Sequence, residues 1–81
     1  MNVRVLLFAG LRDLFKKSET ELSLPEDCTL KDLRDELFKG IEKKEKRWQV
    51  LLYAVNQTYK EIDTKLRDGD EVAFLPMVSG G

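Results

Sequence analysis

Two glycines, Gly80 and Gly81, end the sequence after an apolar stretch and a proline. Glycine has no Cβ atom, so a Gly-Gly end can pass through a narrow channel and adopt backbone angles that other residues avoid. The main-chain carboxylate of Gly81 is also sterically open to attack. We therefore predict that this carboxylate is the reactive group of the protein and that the preceding residues form a scaffold that presents it.

The side chains offer little for autonomous catalysis. The sequence contains no histidine, which removes the commonest general base and metal ligand. The single cysteine, Cys28, cannot form an internal disulfide, and one thiol without histidine cannot build a structural zinc site. Asp68 and Asp70 could act as paired acids, but they flank Gly69 in a pattern typical of a turn. We expect a chain that does not catalyse a reaction by itself and has no metal site.

Cys28 itself has two interpretations. It lies just before a predicted helix start, where a thiolate could be stabilised and could carry a persulfide. A half-buried structural cysteine is the interpretation that the sequence favours.

The composition is that of one small domain. Eighty-one residues allow a single modest core, and 42% hydrophobic with 36% charged residues is an ordinary globular balance.

The net charge of -1 provides no basic field for a nucleic-acid backbone, and the lysines and arginines at 39–47 alternate with Glu42 and Glu45 as on a solvated helix face. No apolar stretch approaches the ~20 residues of a membrane span or resembles a signal peptide. We expect a cytoplasmic protein that binds neither nucleic acid nor membrane.

Alternation of apolar and polar residues predicts five strands. A short helical turn at 11–15 and a turn at 66–70 are expected between them. The predicted strands cover residues 2–9, 19–24, 48–55, 59–62 and 71–76.

One main helix is predicted between the second and third strands. Thr29 is a candidate N-cap, with Asp32 in the first turn, where an acidic residue is favourable. From Leu30 onward, apolar residues recur at helical spacing. Gly40 marks the predicted end, unless the charged stretch up to Arg47 prolongs the helix.

This order of elements predicts an α+β fold, with one mixed sheet packed on one main helix. A right-handed crossover would make the first and last strands parallel neighbours, which is the β-grasp, or ubiquitin-like, arrangement. Val72 and Phe74 would then face the helix, whereas Ala73 and Leu75 would face outward. We expect a β-grasp domain at 1–76.

A partner-binding surface is predicted near the end of the last strand. Leu6, Phe8 and Leu75 are expected to gather on the outer face of the sheet, close to where a flexible, extended tail at 77–81 departs. The alternative is that these side chains are scattered or covered by a loop.

Several segments resemble the small, sulfur-carrying subunit of molybdopterin synthase. VLLFAGLRDL at residues 5–14 is similar to the family's aromatic-Ala-x-x-Arg opening, and AVNQ occupies residues 54–57. LRDGDEVAFLP at residues 66–76 leads into VSGG at residues 78–81. A terminal Gly-Gly alone is widespread among ubiquitin-like proteins, whereas this strand joined to this tail is specific. The family usually has two consecutive prolines at this point, and here the second is replaced by Met77. The first residues of the tail are therefore expected to be less stiff than in the family.

The resemblance implies the β-grasp fold and a two-stage sulfur cycle. An adenylating enzyme, similar to ubiquitin-activating enzymes, would use ATP and Mg to join the Gly81 carboxylate to AMP. A sulfur donor such as a cysteine desulfurase or rhodanese-like protein would then convert it to a thiocarboxylate. Within a heterotetramer, the large subunit of molybdopterin synthase would accept the tail and pass the sulfur to cyclic pyranopterin monophosphate. The chain itself would bind no cofactor.

The tail must reach into a neighbouring active site, and the five residues after Pro76 span at most ~16–18 Å when extended. Ordering them costs about 1–2 kcal/mol per residue, so a docking surface elsewhere must offset that cost. The resemblance implies that Arg12 pairs with a partner carboxylate; a solvated surface arginine is the alternative. Tail residues expected in the channel are Pro76, Met77, Val78, Ser79 and Gly80. Expected interface residues are Leu6, Phe8, Arg12, Ala73 and Leu75.

Three rival functions remain open at this point. The sulfur carrier for thiamine thiazole synthesis shares the fold and the terminus, but it lacks the Phe-Ala-x-x-Arg opening and is usually shorter. A ubiquitin-like modifier would be conjugated to lysines through Gly81. A plain interaction module would carry its Gly-Gly end by accident.

Overall fold

One five-stranded mixed sheet and two helices make up residues 1–39 and 51–76, the part of the chain that the computed structural model describes. The strand order across the sheet is β2-β1-β5-β3-β4. Strand β5 is parallel to β1 and antiparallel to β3, which confirms the predicted parallel pairing of the first and last strands. The elements are β1 Asn2–Leu7, α1 Ala9–Phe15, β2 Glu19–Ser23, α2 Leu30–Leu37, β3 Leu51–Val55, β4 Thr58–Tyr59 and β5 Glu71–Pro76.

The core lies between one face of this sheet and the helices. Val72 and Phe74 of β5 are 0% exposed, which confirms that they face inward. The Phe74 ring stacks on Phe38 at a centroid distance of 6.3 Å and meets Tyr53 edge-on at 5.5 Å. The cluster of buried residues comprises Val3, Val5, Leu7, Leu11, Leu24, Leu30, Leu33, Phe38, Val55, Leu66, Val72 and Phe74.

Helix α2 begins at the predicted cap. The Asp32 backbone N–H donates to Thr29 Oγ1 at 3.3 Å, and the Thr29 N–H donates to the Asp32 carboxylate at 3.0 Å. This reciprocal arrangement is a capping box, which satisfies two backbone donors that a helix start leaves without partners. The Lys31 N–H is satisfied by the Ile62 carbonyl at 3.0 Å.

The end of α2 differs from the prediction. The helix ends at Leu37, three residues before Gly40, and Phe38 and Lys39 form a turn. Phe38 is the C-cap residue of α2; it is only 6% exposed, and its ring packs between those of Phe15 and Phe74. The predicted prolongation toward Arg47 lies outside the described residues. Among the described helices, none is long and apolar enough to cross a membrane.

Strand β1 is shorter than predicted, because Ala9 belongs to α1. The helical stripe formed by Leu11, Leu14 and Phe15 packs against the core, and Leu11 is 0% exposed. Burial of this stripe outweighs the alternation that predicted a strand up to residue 9. The predicted helical turn is therefore a full helix that begins two residues earlier.

The predicted edge strand at 59–62 is also displaced. Asn56 and Gln57 form a two-residue turn with φ of 51° and 72°, so the returning strand β4 starts at Thr58 and ends at Tyr59. The chain then leaves the sheet, since Ile62 bonds to the start of α2 instead. Strand β3 begins at Leu51 in the described residues, and the predicted start at 48 lies outside them.

Candidate docking surface and tail exit

The proposed tail leaves from the middle of the sheet. Strand β5 is paired on both sides, with β1 and β3, and it ends at Pro76. The predicted tail residues Met77, Val78, Ser79, Gly80 and Gly81 lie outside the described residues. Their roles and the domain boundary after residue 76 therefore stay predictions.

The outward residues of the sheet form an apolar row beside that exit. We call the sheet face opposite the core the open face. Strand register places Leu6 beside Ala73, Ala73 beside Ala54, and Ala54 beside Tyr59. Leu6 and Ala73 are half-buried, Ala54 is buried although it lies outside the core cluster, and Tyr59 is 68% exposed. A single apolar row thus crosses four strands.

A second apolar row lies closer to Pro76. Leu75 pairs with Leu52, which is 39% exposed. Phe8 is 43% exposed and has an extended backbone, so it follows Leu6 on the same face by strand alternation. We call the two rows together the open-face patch: Leu6, Phe8, Leu52, Ala54, Tyr59, Ala73 and Leu75.

Sequence reasoning missed the β3 and β4 members of this patch. The LLYAV segment at 51–55 is apolar at every position, so alternation could not separate its inner face from its outer face. The usable signal was the turn at Asn56 and Gln57, which sets Tyr59 opposite Ala54.

The other half of the open face is charged. Arg4 Nη1 lies 3.2 Å from Glu71 Oε2, and Arg4 Nε lies 3.7 Å from Glu19 Oε2. These groups are largely solvent-exposed, so the pairs contribute only a little stability. Arg4 of β1 thus pairs with one carboxylate on each neighbouring strand, Glu19 of β2 and Glu71 of β5. The open face is therefore internally paired at the start of β5 and apolar at its end.

Arg12 extends the surface onto α1. It is exposed and lies in α1, four residues after Phe8, which immediately precedes that helix. Within residues 1–39 and 51–76, Arg12 forms no ion pair. Its predicted pairing with a partner carboxylate stays a prediction.

Arg34 is a structural arginine, distant from the patch. Its Nη1 donates to the Tyr53 hydroxyl at 3.5 Å, which links α2 to β3 on the inner side of the sheet. Burial opposes its charge, but hydrogen bonds to Tyr53 and Asp35 outweigh that effect and raise the pKa of Arg34. Arg34 therefore remains cationic at neutral pH.

Cys28 is half-buried and packs against the core, as the structural interpretation predicts. Its carbonyl accepts a hydrogen bond from the Leu66 N–H at 2.8 Å. Across residues 1–39 and 51–76, no group of three or more acidic or cysteine side chains is arranged to hold a metal ion.

The parallel pairing of β1 and β5, the order β2-β1-β5-β3-β4 and a helix on one face define a ubiquitin-like β-grasp protein. A family model described as the ThiS family matches residues 5–81. The molybdopterin synthase sulfur carrier subunit of Escherichia coli (strain K12) is 39% identical over 85 residues, which cover 98% of this chain and 99% of that protein. The chain therefore belongs to the ThiS family and to the family of molybdopterin synthase sulfur carrier subunits, as its motifs indicated.

Solved structures agree with this assignment. A putative molybdopterin converting factor subunit 1 from Pyrococcus furiosus has a TM-score of 0.82 at 34% identity, over 96% of this chain and 99% of that one. A chain in the complex of subunits 1 and 2 of the molybdopterin-converting factor from Helicobacter pylori 26695 has a TM-score of 0.68 at 28% identity, with complete coverage (100%) of both chains.

Proposed function

We propose that this chain is the sulfur carrier subunit of a molybdopterin synthase. In this proposal the Gly81 carboxylate is adenylated, converted to a thiocarboxylate and used to donate sulfur to cyclic pyranopterin monophosphate. The names of the relatives and the shared fold support the carrier role. The proposal includes a cytoplasmic location, because ATP is required for the first step.

Activation is needed because a carboxylate with a pKa near ~3.5 is anionic at neutral pH and resists nucleophiles. A carboxylate oxygen attacks the α-phosphorus of ATP, pyrophosphate leaves, and the mixed anhydride with AMP forms on a separate adenylating enzyme. The outer sulfur of a persulfide on a donor protein then attacks the acyl carbon and AMP leaves. A second thiol reduces the S–S bond of the resulting acyl disulfide, which releases the thiocarboxylate on Gly81 and leaves the donor as a disulfide. In this proposal the adenylating enzyme and the sulfur donor supply the catalytic groups for these steps. The described residues of this chain provide the surface that those two proteins bind.

The observation that carries the proposal is the open-face patch beside the end of β5. Ordering a five-residue tail costs on the order of 5–10 kcal/mol. Burial of about 400 Å² of apolar surface contributes roughly 10 kcal/mol, and one side of a standard interface buries about 800 Å². In this proposal Leu6, Phe8 and Leu75 contribute part of that surface, and their neighbours on the open face contribute the rest.

The large subunit of molybdopterin synthase is the partner proposed for this patch. The Helicobacter pylori structure is a complex of subunits 1 and 2 of a molybdopterin-converting factor, and its aligned chain spans the whole of this one. The adenylating enzyme and the sulfur donor are further partners in the proposal. They need to recognise the same tail at other stages of the cycle.

Reconstitution tests the proposed function. The chain, its adenylating enzyme, a sulfide source and ATP should yield a product in which one carboxylate oxygen is replaced by sulfur, visible by intact mass. That product, mixed with the large subunit and the pterin precursor, should form the dithiolene. Lysine-linked conjugates without dithiolene would identify a modifier, and thiazole formation would identify the thiamine carrier.

Changes at the end of the chain sharpen this test. Deletion of Gly81, or addition of one residue after it, should abolish sulfur loading. The matched control is Lys31→Ala, an exposed change on α2 away from the tail, which should load normally. Dithiolene formation by the extended chain, with the extra residue still attached, would contradict the proposal.

A further inference from the structure

Two of the segments that carry the family resemblance meet at the start of β5. Asn56, in the hairpin turn between β3 and β4, donates from Nδ2 to Asp70 Oδ1 at 3.0 Å. Its Oδ1 accepts from the Glu71 N–H at 3.0 Å, and its own N–H donates to the Glu71 carbonyl at 2.8 Å. One asparagine thus makes three hydrogen bonds to two consecutive residues.

Asp70 connects that turn to the rest of the sheet. Its Oδ2 accepts from the Arg67 N–H at 2.8 Å, which closes the turn before β5. Its carbonyl accepts from the Arg4 N–H at 3.0 Å, which ties the same residue to β1. We call this set of bonds the Asn56–Asp70 clamp. It joins β1, β5 and the β3–β4 hairpin at one point.

Strand β3 is held to β5 by pairing from Leu51 to Val55, whereas the turn and β4 beyond it have fewer constraints. Strand β4 has two residues and lies at the edge of the sheet. Asn56 and Gln57 both have positive φ, a conformation that costs a residue with a Cβ atom roughly 1–2 kcal/mol, although asparagine tolerates it better than glutamine. The clamp therefore holds a turn that the local sequence only partly favours.

We infer that Asn56 and Asp70 are positioning residues for partner docking. The hairpin carries Leu52, Ala54 and Tyr59 of the open-face patch, whereas β1, β5 and the residue after β1, Phe8, carry the rest. The β3–β5 ladder sets the register of Leu52 and Ala54, and the clamp fixes the turn end of that ladder, from which β4 carries Tyr59. One rigid partner surface can then contact both parts of the patch. This inference rests on the proposed function, in which the patch binds the large subunit.

An isosteric variant breaks the clamp without removing a side chain. Asn56→Asp keeps the acceptor for the Glu71 N–H but sets a second carboxylate oxygen about 3 Å from Asp70, where two like charges repel. The double variant Asn56→Asp with Asp70→Asn exchanges donor and acceptor. In that swap, the amide introduced at position 70 can donate to the carboxylate introduced at position 56, and its oxygen can still accept from the Arg67 N–H.

Amide hydrogen exchange tests the clamp without a partner. The Lys60 N–H, which bonds to the Tyr53 carbonyl at 3.0 Å, reports on the hairpin, and the Leu7 N–H, which bonds to the Ser18 carbonyl at 2.8 Å, reports on the far side of the sheet. Asn56→Asp should speed exchange at Lys60 roughly tenfold relative to Leu7, and the swap should restore it. An equal change at both amides, or no change, would overturn the inference.

Binding to the large subunit tests positioning itself, at a temperature where every variant is folded. Asn56→Asp should raise Kd roughly tenfold and the swap should recover most of this loss. Thr29→Ala, which removes the α2 cap far from the patch, controls for lost stability and should bind as the native chain does. If Asn56→Asp bound the large subunit with the Kd of the native chain, the clamp would only stabilise the fold, and the inference would be overturned. If the native chain failed to bind, the proposed function would fall, while exchange would still decide whether the clamp holds the hairpin.

Discussion

The two ends of β5 differ in their side-chain interactions on the open face: the start is hydrogen-bonded within the chain, and the end is apolar and partly exposed. At its start, Glu71 bonds to Arg4 and Asn56 within the chain. At its end, Leu75 lies among apolar neighbours that include Phe8 and Leu52, both more than a third exposed. One end is completed by the protein itself, and the other needs an apolar partner. A carrier needs both, because a fixed scaffold must present a surface and a tail that other proteins complete.

The charged and apolar halves of the open face also differ in what they contribute to stability and to binding. Exposed ion pairs and surface hydrogen bonds contribute little stability, whereas the hydrophobic pattern and the turns set strand register, and a slip by one residue would turn Leu75 inward. Exposed apolar side chains contribute little until a partner covers them, at about 25 cal/mol per Å². In the proposed function, the apolar half would therefore supply most of the binding free energy and the charged half would add little.

The largest effect should come from the inward neighbour of the patch. Phe74→Ala removes a ring that is 0% exposed and should lower the free energy of unfolding by about 3–5 kcal/mol. The adjacent, outward Leu75→Ala should cost far less stability. Urea denaturation of both variants measures the contrast, and equal losses would contradict the assignment of the two faces.

A smaller but still large effect is expected on binding from Phe8. Phe8→Ala should weaken binding of the large subunit by about 2 kcal/mol, roughly 30-fold, because aromatic residues dominate interface energies. Titration calorimetry measures the loss, and Lys31→Ala is the exposed control that should bind normally. Unaltered affinity of Phe8→Ala would exclude Phe8 from the docking surface.

The hairpin turn should accept a stabilising change. Gln57→Gly removes a Cβ atom at φ 72° and should raise the free energy of unfolding by up to about 1 kcal/mol, after allowance for the greater freedom of glycine in the unfolded chain. Gln57→Ala retains the Cβ atom and should bring no such gain. Thermal denaturation compares the two, and a destabilised glycine variant would show that the glutamine side chain matters more than its backbone strain.

The smallest effect is expected at the charged half. Arg4→Gln removes exposed pairs to Glu19 and Glu71 and should cost about 0.2–1 kcal/mol at low salt. The difference from the native chain should fade in 1 M salt, where charges are screened within about 3 Å. A loss that persisted at high salt would mean that the arginine stem packs on the sheet and that the pairs are secondary.

Most of the scaffold could be predicted from local patterns. Thr29 and Asp32 identified the start of α2 because a capping box depends on residues three positions apart. Alternation assigned Val72 and Phe74 to the core, since inward positions of a strand repeat every second residue. An error arose at the end of β1, where burial of Leu11, Leu14 and Phe15 favoured a helix over continued strand alternation.

The candidate site was predictable only in part. Leu6, Phe8 and Leu75 follow from alternation within two strands and their parallel pairing. Leu52 and Tyr59 depend on which strand lies beside β5 and on the register of an edge hairpin, and neither is encoded in local periodicity. The Asn56–Asp70 contact spans 14 residues, so it exists only when the hairpin and β5 are brought together.

By itself, the sequence determined the type of each main element, the inner and outer faces of β1 and β5, and the two glycines on which the proposed chemistry depends. Propensity, capping and alternation act over a few neighbouring residues, which is why these features could be predicted. The tertiary structure decided the rest. The pairing of β5 with both β1 and β3 brings distant apolar side chains into one patch beside the tail exit. The same pairing joins Asn56 to Asp70, since hydrogen bonds between remote segments form only once the strands have met.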